Sequence, residues 1–390
     1  MNAPLLLRNV GRGESTESGA VPPAVLPPVQ PSPTTLQAPD HAARRRIAVF
    51  RALQLGDMLC AVPALRALRE GEPDAHITLI GLPWVRDFAS RFGSLIDDVM
   101  VFPGAPGFPE RPYDAAALAA FHAEARARRF DLAIQLHGSG TLSNDVVRQL
   151  GARTIAGFCP TSAEAALANE HERLLPWPGG NEIERLLGLM RALGYPVVDA
   201  HLAFPLRPQD HAGWQRLAEL HGLVGGEYIC VHPGARMLSR RWPVERFADV
   251  ALRLRKRWRI VVTGAPDEIM LTHRLCELIG GDVVNLTAAT PLGELAALIA
   301  HARLLLCNDT GPSHIAAALD TPSVVVSCGG DSDRWAPLDA TLHHVLASYP
   351  PCRPCNWQKC PIRHECATAI TVDAVEAEAL SLASRGHDHA

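Results

Sequence analysis

Short runs of consecutive apolar residues recur along most of this chain, each followed by a loop and then by a stretch with apolar positions every three or four residues. A continuous apolar run suits a strand covered on both faces, and the period after it suits a helix lying on that strand. The first run spans 47–50. The loop 51–56 ends it, and from Asp57 onward Leu59, Val62, Leu65 and Leu68 share one helical side, with Pro63 predicting a kink or a late helix start. Strands are predicted at 76–80 and 132–136, with a helix over 115–129 between them. A second round follows a proline-marked junction at 205–208. It predicts helices at 214–221, 244–258, 269–279, 292–301 and 313–319, strands at 228–232, 260–263, 304–307 and 323–327, and a last helix over 372–384. Alternation of this kind implies an α/β chain of two Rossmann-like domains, each with a mostly parallel, doubly wound sheet and with a cleft between them. In such sheets the loops at the carboxyl ends of the strands carry the ligand.

Composition narrows the class. The 390 residues exceed one growing core, and 47% hydrophobic content is ample for two. Four segments are expected: a disordered Pro-rich lead over 1–43, an N-terminal domain over 44–207, a C-terminal domain over 208–348, and a Cys-rich segment with a final helix over 349–390 that packs back on the N-terminal domain. With 41 acidic against 37 basic side chains and a net charge of −4, the chain has no general nucleic-acid footprint. Local basic faces at 44–46 and 253–259 read first as solvated flanks, with peripheral contact to an anionic inner-membrane surface as the alternative. No apolar stretch approaches the roughly 20 residues that cross a bilayer, and the opening residues lack the form of a secretory signal, so a cytoplasmic setting is expected.

Three post-strand loops carry candidate chemistry. Asp57 follows the first strand, where a carboxylate either caps the next helix or takes a proton from an acceptor hydroxyl. His232-Pro-Gly-Ala235 leads into Arg240-Arg-Trp-Pro243, in which a guanidinium supplies a fork of donors suited to a diphosphate. Asn308-Asp-Thr-Gly-Pro-Ser-His314 joins a buried strand to an Ala-rich helix whose free amides and positive end form a plausible diphosphate cradle. There Gly311 permits close approach, Thr310 and Ser313 offer hydroxyls, His314 meets a phosphate oxygen, and Asp309 orients the turn or binds sugar or ribose hydroxyls. Glu268, in the loop 264–268, either favours its helix start or accepts from a ribose. The loop 137–141 is a weaker candidate for the acceptor. A Gly-x-Gly-x-x-Gly element after the first strand is absent, which disfavours nicotinamide chemistry.

These segments, in this order, resemble glycosyltransferase family 9, the bacterial lipopolysaccharide heptosyltransferases: Arg51-Ala-Leu-Gln-Leu-Gly-Asp57, His232-Pro-Gly-Ala235, Arg240-Arg-Trp-Pro243 and Asn308-Asp-Thr-Gly-Pro-Ser-His314. The resemblance covers about residues 46–380. It implies a GT-B fold, an acceptor held mainly by the N-terminal half and an ADP-heptose donor held mainly by the C-terminal half. By the same likeness Asp57 is the base of an inverting transfer to a lipopolysaccharide-core or other glycan or glycolipid hydroxyl. Arg240, where the family often has Lys, binds phosphate. Glu268, Asp309, Thr310, Gly311 and His314 contact the donor, and no catalytic metal or cofactor is required. Two other classes stand beside the transferase: a noncatalytic nucleotide-sugar-binding protein, and a sugar-nucleotide epimerase or dehydrogenase.

Cys352, Cys355, Cys360 and Cys366 form a separate cluster whose last gaps do not match a paired Cys-x2-Cys knuckle. Packed free thiols, a metal site and a redox or disulfide role are all open readings, so no metal is assigned.

Overall fold

The computed structural model describes residues 44–385 and, before them, only the backbone of the short strand β1 (Leu6–Leu7). The Pro-rich lead expected over 1–43 otherwise lies outside the described residues. Contacts divide the chain into two compact units, the boundary falling between His201 and Leu202.

The first unit holds a six-stranded parallel sheet of β2 (Arg46–Phe50), β3 (His76–Gly81), β4 (Asp98–Val101), β5 (Leu132–Gln135), β6 (Thr154–Cys159) and β7 (Glu172–Pro176), in the order β4-β3-β2-β5-β6-β7. Strand β2 lies in the middle, with Phe50 opposite Ile80 on one side and Gln135 on the other. Ile47, Ala48, Val49 and Phe50 are all buried, as a strand covered on both faces requires. The helical pattern after β2 forms as two helices, α1 (Leu55–Leu59) and α2 (Val62–Gly71), with Pro63 in the first turn of the second. Proline is tolerated there because the first amides of a helix have no intrahelical partner.

The second unit holds β8 (Tyr228–His232), β9 (Arg259–Val262), β10 (Val284–Asn285), β11 (Leu304–Asn308), β12 (Ser323–Ser327) and β13 (His343–Ala347) in the order β1-β13-β12-β11-β8-β9-β10. All pairings are parallel except the edge, where Leu6–Leu7 runs antiparallel to β13. The final helix, Val372–Ala383, differs from the expectation that it packs back on the first unit. Its Val375, Ala379 and Leu382 enter the core of the second unit, among residues of the helix Val244–Leu254 and of β11 and β12. Arg253 anchors it through Asp373 at 2.7 Å and Glu376 at 2.6 Å. The amphipathic helix thus finds a sheet face within its own unit. Arg255 and Arg259 likewise bind backbone carbonyls, so these members of the basic run act in local packing.

Candidate active site

Each sheet has one place where the strand order reverses, and the crevice at that switch point is where open α/β sheets hold ligands. In the first unit it lies between β2 and β5. The loop after β2 carries Asp57, which sits half-buried in the first turn of α1. Gln54 is the N-cap residue and makes no side-chain cap bond, so Asp57 is placed inside the helix start. The loop after β5 carries His137, and the two loops touch: the Ala52 amide donates to His137 Nδ1 at 3.2 Å. Accepting at Nδ1 puts the proton of the neutral ring on Nε2.

Arg51 lies beneath this crevice with 0% of its surface exposed. Its Nε donates to the carbonyl of Asp57 at 2.8 Å, Nη1 donates to the carbonyl of Leu136, and Nη2 pairs with Glu182 Oε1 at 3.0 Å. The other Glu182 oxygen accepts from Arg185 Nη1 at 2.5 Å, and the Arg185 guanidinium lies 4.0 Å over the Trp177 ring. One buried carboxylate between two guanidiniums therefore ties the backbone at Asp57 to the loop after β5 and to the helix Glu182–Ala192. The only sign of this in the sequence is an arginine directly after an apolar run, where the topology buries it. Glu182 and Arg185 give no such sign.

In the second unit the switch point lies between β8 and β11. His232 and Cys307 are register partners there, so the loops that follow these strands start side by side. Buried Asn308 joins them: its Oδ1 accepts from the Trp242 amide at 2.9 Å and its Nδ2 donates to the Pro233 carbonyl at 2.7 Å. Trp242 is only 1% exposed, packs edge-on against Phe247 and donates Nε1 to the Ile370 carbonyl, so its role is packing.

Arg240 and Arg241 point to different partners, and neither is a plain surface charge. Arg241 approaches Glu268 at 3.6 Å. Arg240 donates Nη2 to the Cys355 carbonyl at 3.1 Å, and its buried Nε has no partner. A Cβ on Gly330 would lie 2.7 Å from Arg240 Nη1 and 3.0 Å from Asp309 Oδ2, so only glycine leaves room for these two groups over the loop after β12. Ser327 Oγ donates to Asp309 Oδ2 at 3.1 Å.

Glu268 is 6% exposed, and its Oε2 accepts from the Ala265 amide at 2.9 Å while His232 Nε2 lies 3.6 Å away. The carboxylate rests directly on Gly234, where a Cβ would come within 2.1 Å of it. Burial pushes the His232 imidazole below its usual range, Glu268 opposes that shift, and Arg241 adds to it. His232 is therefore neutral at pH 7.

Thr310 is the N-cap residue of the helix Gly311–Ala318, which begins at Gly311 with Pro312 in its first turn. His314 is buried with its ring edge-on to Trp335. Ser313 departs from its expected part as a phosphate donor: it is fully buried and its hydroxyl donates to the Thr310 carbonyl at 2.7 Å. A serine one turn into a helix bonds back to the preceding carbonyls more readily than it reaches outward. The second unit thus gathers Arg240, Glu268, Asp309, Thr310 and Gly311 on the loops after β8, β9 and β11, with the loop after β12 beside them. Asp57 belongs to the other unit. Sequence reasoning missed Ser327 and Arg353, both of which are bonded into this site.

The sequence profile described as "Glycosyltransferase family 9 (heptosyltransferase)" matches residues 118–365. The chain belongs to glycosyltransferase family 9. Among family 9 relatives, it is 29% identical over 294 residues to lipopolysaccharide heptosyltransferase 3 of Escherichia coli, covering 72% of this chain and 83% of that protein. It is 27% identical over 320 residues to the protein of the same name in strain K12, covering 80% and 88%. Its fold is that of the family 9 glycosyltransferase of Veillonella parvula DSM 2008, with a TM-score of 0.71 and 22% identity over 88% of this chain and 98% of that one. It also matches E. coli ADP-heptose lps heptosyltransferase II, with a TM-score of 0.66 and 20% identity over 87% and 98%. The architecture of this family 9 chain is accordingly GT-B, as the motifs imply.

The four clustered cysteines grade from exposed Cys352 through half-buried Cys355 and Cys360 to buried Cys366, and all are unpaired. Among the described residues no three His, Cys, Asp or Glu side chains are gathered as metal ligands, and no helix is long and apolar enough to cross a membrane.

Proposed function

We propose that this protein moves a heptose from an ADP-activated donor to a hydroxyl of a lipopolysaccharide-core glycolipid, with inversion and without a metal, at the cytoplasmic face of the inner membrane. The observation that carries the reading is the meeting of Arg240 and Asp309 over Gly330 at the switch point of the second sheet in a family 9 chain. Arg240 neutralises the diphosphate and the start of the helix Gly311–Ala318 faces its oxygens, while Asp309 and Thr310 take hydroxyls of the donor. Glu268 supports the nucleotide side through Gly234 and Ala265. His314, in the first turn of the helix Gly311–Ala318, meets a phosphate oxygen of the donor.

In the reaction the acceptor oxygen forms a bond to the anomeric carbon as the bond from that carbon to the β-phosphate oxygen breaks. Asp57 takes the acceptor proton, and ADP leaves with the electron pair. A single displacement inverts the anomeric centre. Arg240 and the helix amides stabilise the charge that develops on ADP, and one such donor contributes roughly 2.7–4 kcal/mol to the transition state. The solved E. coli heptosyltransferase WaaC with ADP, and with ADP-2-deoxy-2-fluoro heptose, supports the choice of donor.

Asp57→Asn is the test. Transfer from ADP-heptose, followed by release of ADP in the presence of EDTA, is expected to be lost in this variant, while calorimetric donor affinity stays within about threefold of wild type. Full turnover by the variant sinks the base assignment. Donor binding without any turnover by the wild-type protein, tried on a panel of core acceptors, favours a noncatalytic binding protein instead.

A further inference from the structure

The Cys-rich strap that follows β13 is bonded to the donor-site loops at several points. The Ser239 amide donates to the Gln358 carbonyl at 3.1 Å, the Cys355 amide donates to the Gly329 carbonyl at 3.0 Å, and Arg240 Nη2 donates to the Cys355 carbonyl. Arg353 is its most heavily bonded residue. A guanidinium has five N–H donors. Here Nε serves the Gly330 carbonyl at 2.6 Å, and Nη1 serves the carbonyls of Ser327 and Ser348, each at 2.8 Å. Nη2 serves Ser327 Oγ at 2.9 Å and Ser332 Oγ at 2.6 Å. Every donor is committed.

That saturation dictates where the neighbouring hydroxyl protons point. Ser332 Oγ accepts from Arg353 and donates to Ser327 Oγ at 2.9 Å. Ser327 Oγ, already accepting from both Arg353 and Ser332, is left with Asp309 Oδ2 as the acceptor for its own proton at 3.1 Å. The chain of hydrogen bonds runs one way, from a fixed cation through two buried hydroxyls to one oxygen of the Asp309 carboxylate. Hydrogen bonds in such a chain polarise one another. Oδ2 is thereby held toward β12, and among the described residues no hydrogen bond falls on Oδ1.

We propose that Arg353 is a positioning residue of the donor site: through Ser327 it holds the Asp309 carboxylate with Oδ1 turned to a hydroxyl of the nucleotide sugar. The inference rests on the donor reading above and adds to it that the strap is part of the donor site. Arg353 touches no reacting atom. A bare loop staple and a relay predict different things for Ser327→Ala, which leaves Arg353 its bonds to the carbonyls of Gly330, Ser327 and Ser348 and to Ser332 Oγ but removes the proton aimed at Asp309.

The experiment is calorimetric binding of ADP-heptose to the full chain, with thermal melting of each variant as a folding control. A hydrogen bond to a charged group of this kind corresponds to an affinity loss of roughly tenfold or more. Ser327→Ala is expected to show that loss, and in an Asp309→Ala background the same change is expected to add nothing, because the relay then ends on no acceptor. Arg353→Lys, with three donors and no planar fork, is expected to weaken the donor to a similar extent; if it does not fold, the Ser327 and Asp309 cycle decides alone. Wild-type affinity in Ser327→Ala, or losses that simply add in the double variant, overturns the proposal while leaving the donor reading in place. Absence of any ADP-heptose binding by the wild-type protein overturns both.

Discussion

Replacing Glu182 by Gln changes one atom and leaves two buried guanidiniums without their counter-ion. Arg51 and Glu182 are fully buried, and Arg185 has 3% of its side chain exposed. Each carboxylate oxygen serves one arginine, Oε1 at 3.0 Å and Oε2 at 2.5 Å. Glutamine has a single acceptor oxygen, so one guanidinium meets an amide NH2 and neither meets a negative charge. Breaking a buried pair in this way costs about 3–5 kcal/mol. Arg51 keeps the carbonyls of Asp57 and Leu136, and Arg185 keeps those of Pro178 and Gly180, which sets the expected loss at the lower end, about 3 kcal/mol. For a unit of this size that corresponds to a melting temperature lower by roughly 6–12 °C. Differential scanning calorimetry reads it directly. The combined variant Arg51→Met, Glu182→Leu, Arg185→Met removes all three charges and is expected to melt above Glu182→Gln, yet to transfer poorly because the clamp on the Asp57 carbonyl is gone. A Glu182→Gln protein that melts within about 2 °C of wild type refutes the reasoning, since it means the charge on that carboxylate holds nothing.

Gly330→Ala places a methyl 2.7 Å from Arg240 Nη1 and 3.0 Å from Asp309 Oδ2, and the flexible end of the guanidinium gives way first; donor affinity is expected to fall about tenfold with little change in melting temperature. Donor binding equal to wild type contradicts the meeting of those groups. Arg240→Ala is expected to raise the donor dissociation constant before it alters the acceptor KM, and an unchanged constant removes Arg240 from the diphosphate. His343 is buried with Ser323 Oγ 2.9 Å from its Nδ1, and burial pushes its pKa down to about 4, with Asp339 partly opposing. The unfolded chain therefore binds the extra proton first as pH falls below about 6.5, so the contribution of neutral His343 is complete above that pH and is lost on the way down to pH 4, by about 3 kcal/mol in all. Urea unfolding of His343→Leu at pH 7, 6 and 5 is expected to show a shallower pH dependence than wild type, and parallel curves count against it.

The parallel sheets were legible because central strands such as 47–50 and 323–327 are apolar on both faces and the helices between them keep their period. Strand β7 was not legible, because it is an edge strand with a mixed pattern of exposed and half-buried residues. The turn from β11 into the helix Gly311–Ala318 was visible in its order of Asp, Thr, Gly and Pro before an Ala-rich run. Ser313 looked like a ligand group because hydroxyl position along a motif does not reveal which way the proton points. Arg353 and Glu182 were invisible for another reason: the contacts that tie them to the sites, Arg353 to Ser327 and Glu182 to Arg51, span 26 and 131 residues, and only the folded chain makes them. The place of the last helix likewise depended on which sheet face was left uncovered.

The grading of the cysteines has a practical consequence for testing the proposed donor site. Cys230, Cys307 and Cys328 are buried within the second unit, with burial pushing the Cys230 thiol up to about 12 and the other two upward as well, and Cys276 is pushed up to about 11. Thiols held protonated and out of reach are poor nucleophiles. Cys352 is exposed and adjoins Arg353. A thiol-reactive fluorophore added at low ratio is therefore expected to attach first at Cys352, ahead of half-buried Cys355 and Cys360, and a change in its emission on addition of ADP-heptose is the measurement that ties the strap to the proposed donor site.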